Sequence, residues 1–217
     1  MRDIVALDLD GVLANTEFVI DKYLKDNFNY AVTDEDLVSY KLEDCPAIPE
    51  GAVDKFLDEF YNGKIANTIL PYNYSEHALN KLLNEGFKVI IITSRPISMQ
   101  KLTLDWLDRW GLRYDTIYHI KSLRKHTLIK ELKAKAFVED RSDILDSIVQ
   151  NCGVLEYGLF LVDHPWNEKY DKENIVKTVN ISEAVDRIVE YRKWKNFFVA
   201  KCQGDIDKFI KGYFDGK

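Results

Sequence analysis

The stretch "FKVIIITSRP" (87–96) constrains this chain more than any other. Successive side chains of a strand point to opposite faces, so an unbroken apolar run predicts a strand buried on both sides. Similar runs recur in "DIVALDL" (3–9), "AFVED" (136–140) and "GLFLVDH" (158–164), with a weaker one in "YDTIYHI" (114–120). Between them lie stretches of helical periodicity: "SEHALNKLLNEG", closed by Gly86, "MQKLTLDWLDRWG", the segment around "LIKEL", and "SDILDSIVQN". Strands that alternate with helices and are apolar throughout predict a parallel sheet covered on both faces. The expected class is therefore α/β, a doubly wound parallel sheet.

Residues 17–72 break the alternation. A helix is expected from Thr16 to Phe28, a capping-box start at Thr33 and Asp36, and a further helix in "PEGAVDKFLDEFYNG" (49–63), with Val53, Phe56, Leu57 and Phe60 on one face. The expected organisation is a core of residues 1–16 and 73–217 with C-terminal helices, and a small helical cap of residues 17–72 inserted after the first strand. From Ser182 the chain is again helical, with Val185, Ile188 and Val189 as one stripe and Ile206, Phe209, Ile210 and Phe214 as another. The basic, aromatic "YRKWKNFFVAK" within it is expected to dock on the core.

Of the 217 residues, 46% are hydrophobic and 30% charged, the balance of a globular domain. A formal net charge of −6 provides no general attraction for nucleic acid or acidic membranes. The three cysteines, Cys45, Cys152 and Cys202, have no metal-binding spacing and are expected as reduced thiols in a cytoplasmic setting. The first apolar run is too short and too acidic for a signal peptide, and no run reaches the ~18 residues of a membrane span.

In an open parallel sheet, ligands bind at the carboxyl ends of the strands. Those ends carry Asp8 and Asp10, then Thr93, Ser94 and Arg95, then Glu139, Asp140 and Asp143, then Asp163 and His164. Lys121 and Lys125 precede the helix that leads into "AFVED". Buried acids need a compensating cation. Several acids on one edge suit a hard divalent ion, Mg²⁺ in the first instance, together with a substrate's phosphate oxygens. One carboxylate could attack phosphorus, and a second, two residues on and on the same side of the strand, could pass a proton to the leaving oxygen.

The motifs "DLDGVLANT" (8–16), "IIITSRP", a lysine ahead of a helix, and "VEDR" (138–141) resemble those of the haloacid dehalogenase superfamily of phosphatases. Together with "FVEDRSD" and "DHPWN" (163–167), they are most similar to the cytosolic-type 5'(3')-deoxyribonucleotidase family. The resemblance implies Asp8 as nucleophile and Asp10 as general acid and base, with Asp8, Asp10 (through its carbonyl) and Asp140 on Mg²⁺. It implies Gly11, Thr93 and Ser94 at the phosphoryl group and a lysine against its charge, Lys125 preferred over Lys121. Glu139 stands where many relatives have aspartate, so a ligand role there does not carry over.

Each of these residues also has a structural reading. Thr93 could cap the next helix; Arg95 could bind phosphate or pair with a core carboxylate. Asp143 could support a metal or a helix N-terminus, and His164 with Trp166 could floor the site or pack a loop. Phe18 is the candidate for stacking on a base, while His119 and His126 read as surface residues and Trp106 with Trp110 as core. The expected partner is a small phosphomonoester, a (deoxy)nucleoside monophosphate; pairing of two copies is left open. The alternatives are a phosphatase of nucleic-acid ends and, from a different class, a non-hydrolytic phospho-accepting receiver.

Overall fold

The computed structural model describes residues 2–215. Six parallel strands form one sheet: β1 (Ile4–Leu7), β2 (Lys88–Thr93), β3 (Thr116–His119), β4 (Ala136–Glu139), β5 (Gly158–Val162) and β6 (Val176–Thr178), in the order β3-β2-β1-β4-β5-β6. The first strand lies inside the sheet, between β2 and β4. Leu7 is level with Ile91 on one side and Val138 on the other, so the polar residues that follow all three strands emerge at one edge.

The continuous apolar runs do what the pleat requires. Val5, Leu7, Val89, Ile91, Ala136 and Val138 share one buried cluster, while Ala6, Ile90, Ile92 and Phe137 belong to another on the opposite face. The first is covered by α3 (Ser75–Asn84) and α7 (Ile181–Asp215), through Ala78, Leu79 and Leu82 and through Val185 and Ile188; the second by α5 (Lys125–Leu132) and α6 (Ser142–Cys152), through Ile129, Ile144 and Ile148. At about 25 cal/mol per Å² of buried apolar surface, these two faces are the main force holding the sheet.

Between β1 and α3, the chain forms α1 (Thr16–Phe28), α2 (Ala52–Tyr61) and short helical turns, one carrying the capping box of Thr33 and Asp36. This segment lies over the carboxyl ends of the strands. Trp106, on α4 (Gln100–Arg109), is fully buried and anchors the segment's return, its indole N–H donating to the Ile69 carbonyl at 2.7 Å. Trp110 at the helix end is partly exposed, so the stripe is core only at Trp106.

Three expectations need correcting. A sixth strand, β6, pairs on the edge beside β5; three residues with Lys177 in the middle give no periodic signal. His119 and His126 are half-buried with partners, the Arg95 carbonyl and the Ser147 hydroxyl. In α7, Val185, Ile188 and Val189 pack on the core as expected, but Trp194, Phe197, Phe198 and Val199 stay more than half exposed, as the helix has by then passed the sheet. The side chains of Cys202, Ile206, Phe209, Ile210 and Phe214 lie outside the described residues. No helix among the described residues is long and apolar enough to cross a membrane.

Candidate active site

After Leu7 the backbone leaves the sheet in a tight coil. The Leu9 carbonyl accepts hydrogen bonds from Leu13 and Ala14 at 2.9 and 2.8 Å, and the Gly11 N–H returns to the Ala14 carbonyl at 3.0 Å. Gly11 has φ +77°, a region that disfavours any side chain. A Cβ there would lie 2.6 Å from both Cγ and Oδ2 of Asp140. Glycine thus lets the first strand's loop touch the fourth strand's. Gly11→Ala is expected to destabilise the fold by about 2–4 kcal/mol, from left-handed strain plus displacement of Asp140, as read by urea denaturation.

Four carboxylates and two cations meet at this edge. The Lys125 ammonium, fully buried at the start of α5, lies 2.9 Å from Asp8 Oδ1 and 2.7 Å from Glu139 Oε2. Lys121 is exposed, and it is Lys125 that pairs with Asp8 and Glu139. Glu139 is used up: its Oε2 faces Lys125, and its Oε1 accepts the backbone N–H groups of Asp140 and Arg141, both at 3.3 Å. Arg95 grips Asp10 in a two-pronged pair, Nε to Oδ2 at 2.8 Å and Nη2 to Oδ1 at 2.7 Å.

If Lys125 is set against Glu139 and Arg95 against Asp10, Asp8 and Asp140 are left uncompensated. Both are buried; Asp140 Oδ1 has no hydrogen-bond partner, and Asp8 Oδ1 has only the Lys125 ammonium that it shares with Glu139. Such groups are expensive without a cation. Burial raises the Asp8 carboxyl to about 8, with repulsion from Glu139 adding and the Lys125 charge opposing. Burial likewise raises Asp140 to about 7. Carboxylate oxygens of Asp8, Glu139 and Asp140 lie within 4.8 Å of one another. An orphaned oxygen on Asp140, two negative charges beyond the two cations and an all-oxygen donor set fit one hard divalent cation.

The sign of the pH dependence follows. A carboxyl raised in the folded chain binds its proton more tightly there than when unfolded. Its stabilising contribution is complete below the ordinary carboxylate range and is lost as pH rises through about 7 to 8. Cation-free protein is therefore expected to melt lower near pH 8 than near pH 5, and Mg²⁺ to raise the melting temperature far more at the higher pH. Thermal melts with chelator or MgCl₂ check this.

A third strand-end segment braces the two loops. In "DHPWN", His164 is buried; its Nε2–H donates to the Gly11 carbonyl at 2.7 Å, and its Nδ1 lies 3.1 Å from Glu17 of α1. Its ring stacks on Trp166, centroids 4.3 Å apart. Trp166 Nε1 and Asn167 Nδ2 both donate to the Asp140 carbonyl, at 3.2 and 2.8 Å. The motif thus fixes both acid-bearing loops from behind, a role the sequence left open.

Above the acids is a cavity of about 320 Å³. Asp8, Asp10, Asp140 and Ser94 form its polar end; Leu37, Leu42, Val53, Phe56, Leu57 and Phe60 its apolar roof; and Tyr40, Tyr61, Arg141 and Trp166 further parts of its wall. The apolar face of α2, expected simply to pack the small helical segment, also faces this space. Phe18 does not line it: it is half exposed and borders a separate surface hollow with Asn15, Glu17 and Asp21, because it follows the α1 N-terminus on the outward side. Thr93 is fully buried and is not part of the cavity wall; its Oγ1 accepts the Arg95 N–H at 3.1 Å, which leaves its hydroxyl proton uncommitted.

Asp143 is drawn off by Arg141 at 2.8 Å and stands away from the cluster. Arg141, the last residue of "VEDR", carries no functional signal in the sequence. Its guanidinium lies 3.6 Å from the Tyr40 ring centroid and bridges the core to the helical segment. Only the cross-chain approach of Tyr40 reveals that.

A family model described as "5' nucleotidase, deoxy (Pyrimidine), cytosolic type C protein" matches residues 2–194. Among curated proteins, the candidate nucleotidase YqfW of Bacillus subtilis strain 168 is 26% identical over 186 residues, covering 83% of this chain and 91% of that protein. A nucleotidase of Clostridium acetobutylicum is 21% identical over 199 residues, covering 86% of this chain and 95% of its own. Among solved structures, a HAD family hydrolase from Deinococcus radiodurans R1 with bound phosphate and sodium superposes with a TM-score of 0.59 at 16% identity, over 88% of this chain and 96% of that one. That likeness supports the fold.

Proposed function

The chain belongs to the cytosolic type C 5'-nucleotidase family, phosphatases of the haloacid dehalogenase superfamily, and on that premise we propose that it hydrolyses a (deoxy)nucleoside monophosphate with Mg²⁺, through a phosphoryl group carried on Asp8. The observation that carries this reading is the cavity itself, which has Asp8, Asp10 and Asp140 at one end and an apolar and aromatic surface interrupted by Lys41 and Glu43 over them. A phosphate at the acids leaves the nucleoside to the roof. The acids alone would repel a phosphate dianion, so a cation has to sit among them.

Asp8 and Asp140 would hold the ion, with the Asp10 carbonyl as a third protein ligand. Bound there, Mg²⁺ would neutralise the acids and draw charge from the phosphoryl oxygens. Asp8 attacks phosphorus as the bond to the nucleoside oxygen breaks, and Asp10 gives that oxygen its proton. Water then attacks phosphorus, returns a proton to Asp10 and frees the Asp8 carboxylate. Lys125 holds Asp8 in place and faces the charge that builds on the phosphoryl oxygens. Ser94 is the group of this chain set to receive those oxygens, the Gly11 N–H being already engaged by the Ala14 carbonyl.

Residues 17–72 act as a cap that closes the apolar end against water. Tyr40, Phe60 and Tyr61, rather than Phe18, are the aromatic groups within reach of a base. A family of cytosolic type and the reduced-thiol reading together favour the cytoplasm.

The experiment is phosphate release across a panel of nucleoside monophosphates, with Mg²⁺ and with chelator. Turnover of at least one nucleotide, abolished by chelator and restored by Mg²⁺, is expected. Undiminished turnover in chelator would remove the metal from the scheme, and release from oligonucleotide ends alone would move the substrate to nucleic acid.

A further inference from the structure

The sequence allows Arg95 as a phosphate ligand or as the partner of a core carboxylate, and its geometry distinguishes the two. Its side chain is 1% exposed, whereas that of Asp10 is 29% exposed and lines the cavity. The guanidinium therefore lies behind Asp10 as seen from the substrate space. Its Nε and Nη2 are both spent on Asp10. Reaching a phosphate would mean breaking both charge-assisted bonds and moving the side chain past its partner.

The rest of the residue is fixed as firmly. The Arg95 N–H donates to Thr93 Oγ1 at 3.1 Å, the His119 ring donates from Nδ1 to the Arg95 carbonyl at 3.1 Å, and Nη1 donates to Thr103 Oγ1 at 3.4 Å. Toward the helical segment, the guanidinium carbon is 5.4 Å from the ring centroid of Phe60, on α2 of the cap. Three core contacts and one cap contact define where the fork points, and the fork defines the plane of the Asp10 carboxylate.

We propose that Arg95 is a positioning residue for Asp10: it fixes the carboxyl so that the lone pairs left free of the fork face the leaving oxygen, and its contact with Phe60 ties that orientation to the seated cap. This rests on the hydrolytic reading given above. In the first step the Asp8–phosphorus bond forms, the bond to the nucleoside oxygen breaks, and the proton of Asp10 goes to that oxygen. In the second, water bonds to phosphorus, its proton returns to Asp10, and the Asp8–phosphorus bond breaks. Arg95 gains and loses no proton in either step. A positioned acid contributes roughly 10²–10⁴-fold to such a transfer, and that is the advantage at stake.

The test uses leaving groups of different need. A nucleoside alkoxide requires a proton as it departs; p-nitrophenolate does not. For Arg95→Met, kcat/KM, which reports the chemistry through departure of the leaving group, is expected to fall by about 10²-fold or more on the nucleotide and by less than about threefold on p-nitrophenyl phosphate. Asp10→Asn is expected to show the same selectivity, the double variant to lose no more than Asp10→Asn alone, and Arg95→Lys, which keeps a single contact, to fall between.

Should Arg95→Met fail to fold, Arg95→Lys and its combination with Asp10→Asn give the same comparison. An equal fall on both substrates with a raised KM would make Arg95 a phosphate ligand and overturn the proposal, as would additive losses in the double variant. Wild-type protein that cleaves neither substrate would instead overturn the reaction itself, and this role with it.

Discussion

Asp8→Asn is expected to lower phosphate release by at least about 10⁴-fold while leaving a folded protein. Among the described residues, this carboxylate both lines the polar end of the cavity and lies against the Lys125 ammonium. An amide is nearly the same size but cannot carry a phosphoryl group. The same change removes a buried charge that Glu139 repels. The variant should therefore melt higher than wild type in chelator near pH 8, which separates lost chemistry from lost structure. Assays of release and thermal melts on one preparation give both readings.

Lys125→Met should be damaging in a different way. Its ammonium is fully buried between Asp8 and Glu139, and Glu139 is equally buried. Removing one partner of a buried ion pair typically costs about 3–5 kcal/mol, because the other charge is left without compensation. Denaturant unfolding is expected to show a loss of that order. Pairing the change with Glu139→Gln removes one of the two stranded charges and should recover part of the stability. Activity should not return, since nothing then faces the phosphoryl charge, and a deficit of about 10²–10³-fold is expected to persist. If the paired variant regains activity with stability, Lys125 serves the fold alone.

The sheet was legible because its strands are buried on both faces. Residues such as Ile90, Ile91 and Ile92 leave no other sensible reading, and the strand ends follow from them. That is why Asp8, Asp10 and Asp140 could be expected at one edge before any coordinates: the topology of an open parallel sheet brings them there. Lys125 was legible for a related reason, the amphipathic stretch after it that points its helix back at the sheet. The strand β6 was not, since a short edge strand with a central lysine carries no periodicity.

What the sequence could not give was pairing between charges far apart in the chain. The Arg95–Asp10 fork joins positions 85 residues apart, and the Arg141–Tyr40 contact joins the core to the cap. Either arginine could have met phosphate, and composition does not say which carboxylate or ring will be close. Phe18 illustrates the reverse error. Nearness to the catalytic loop in sequence put it at the site, but a helix turns its residues through about 100° each, and this one faces outward. The exposed Trp194, Phe197 and Phe198 show the same limit: a helix has an apolar stripe whether or not the core extends far enough to meet it.

The central claim is that Asp8 itself takes the phosphoryl group. The most direct measurement is an acid quench of protein mixed with a phosphate-labelled nucleoside monophosphate and Mg²⁺, followed by peptide mapping of the label. The account predicts label on the peptide carrying Asp8, dependent on Mg²⁺ and absent from Asp8→Asn. Continued phosphate release by Asp8→Asn at the wild-type rate, with no label on that peptide, would contradict it.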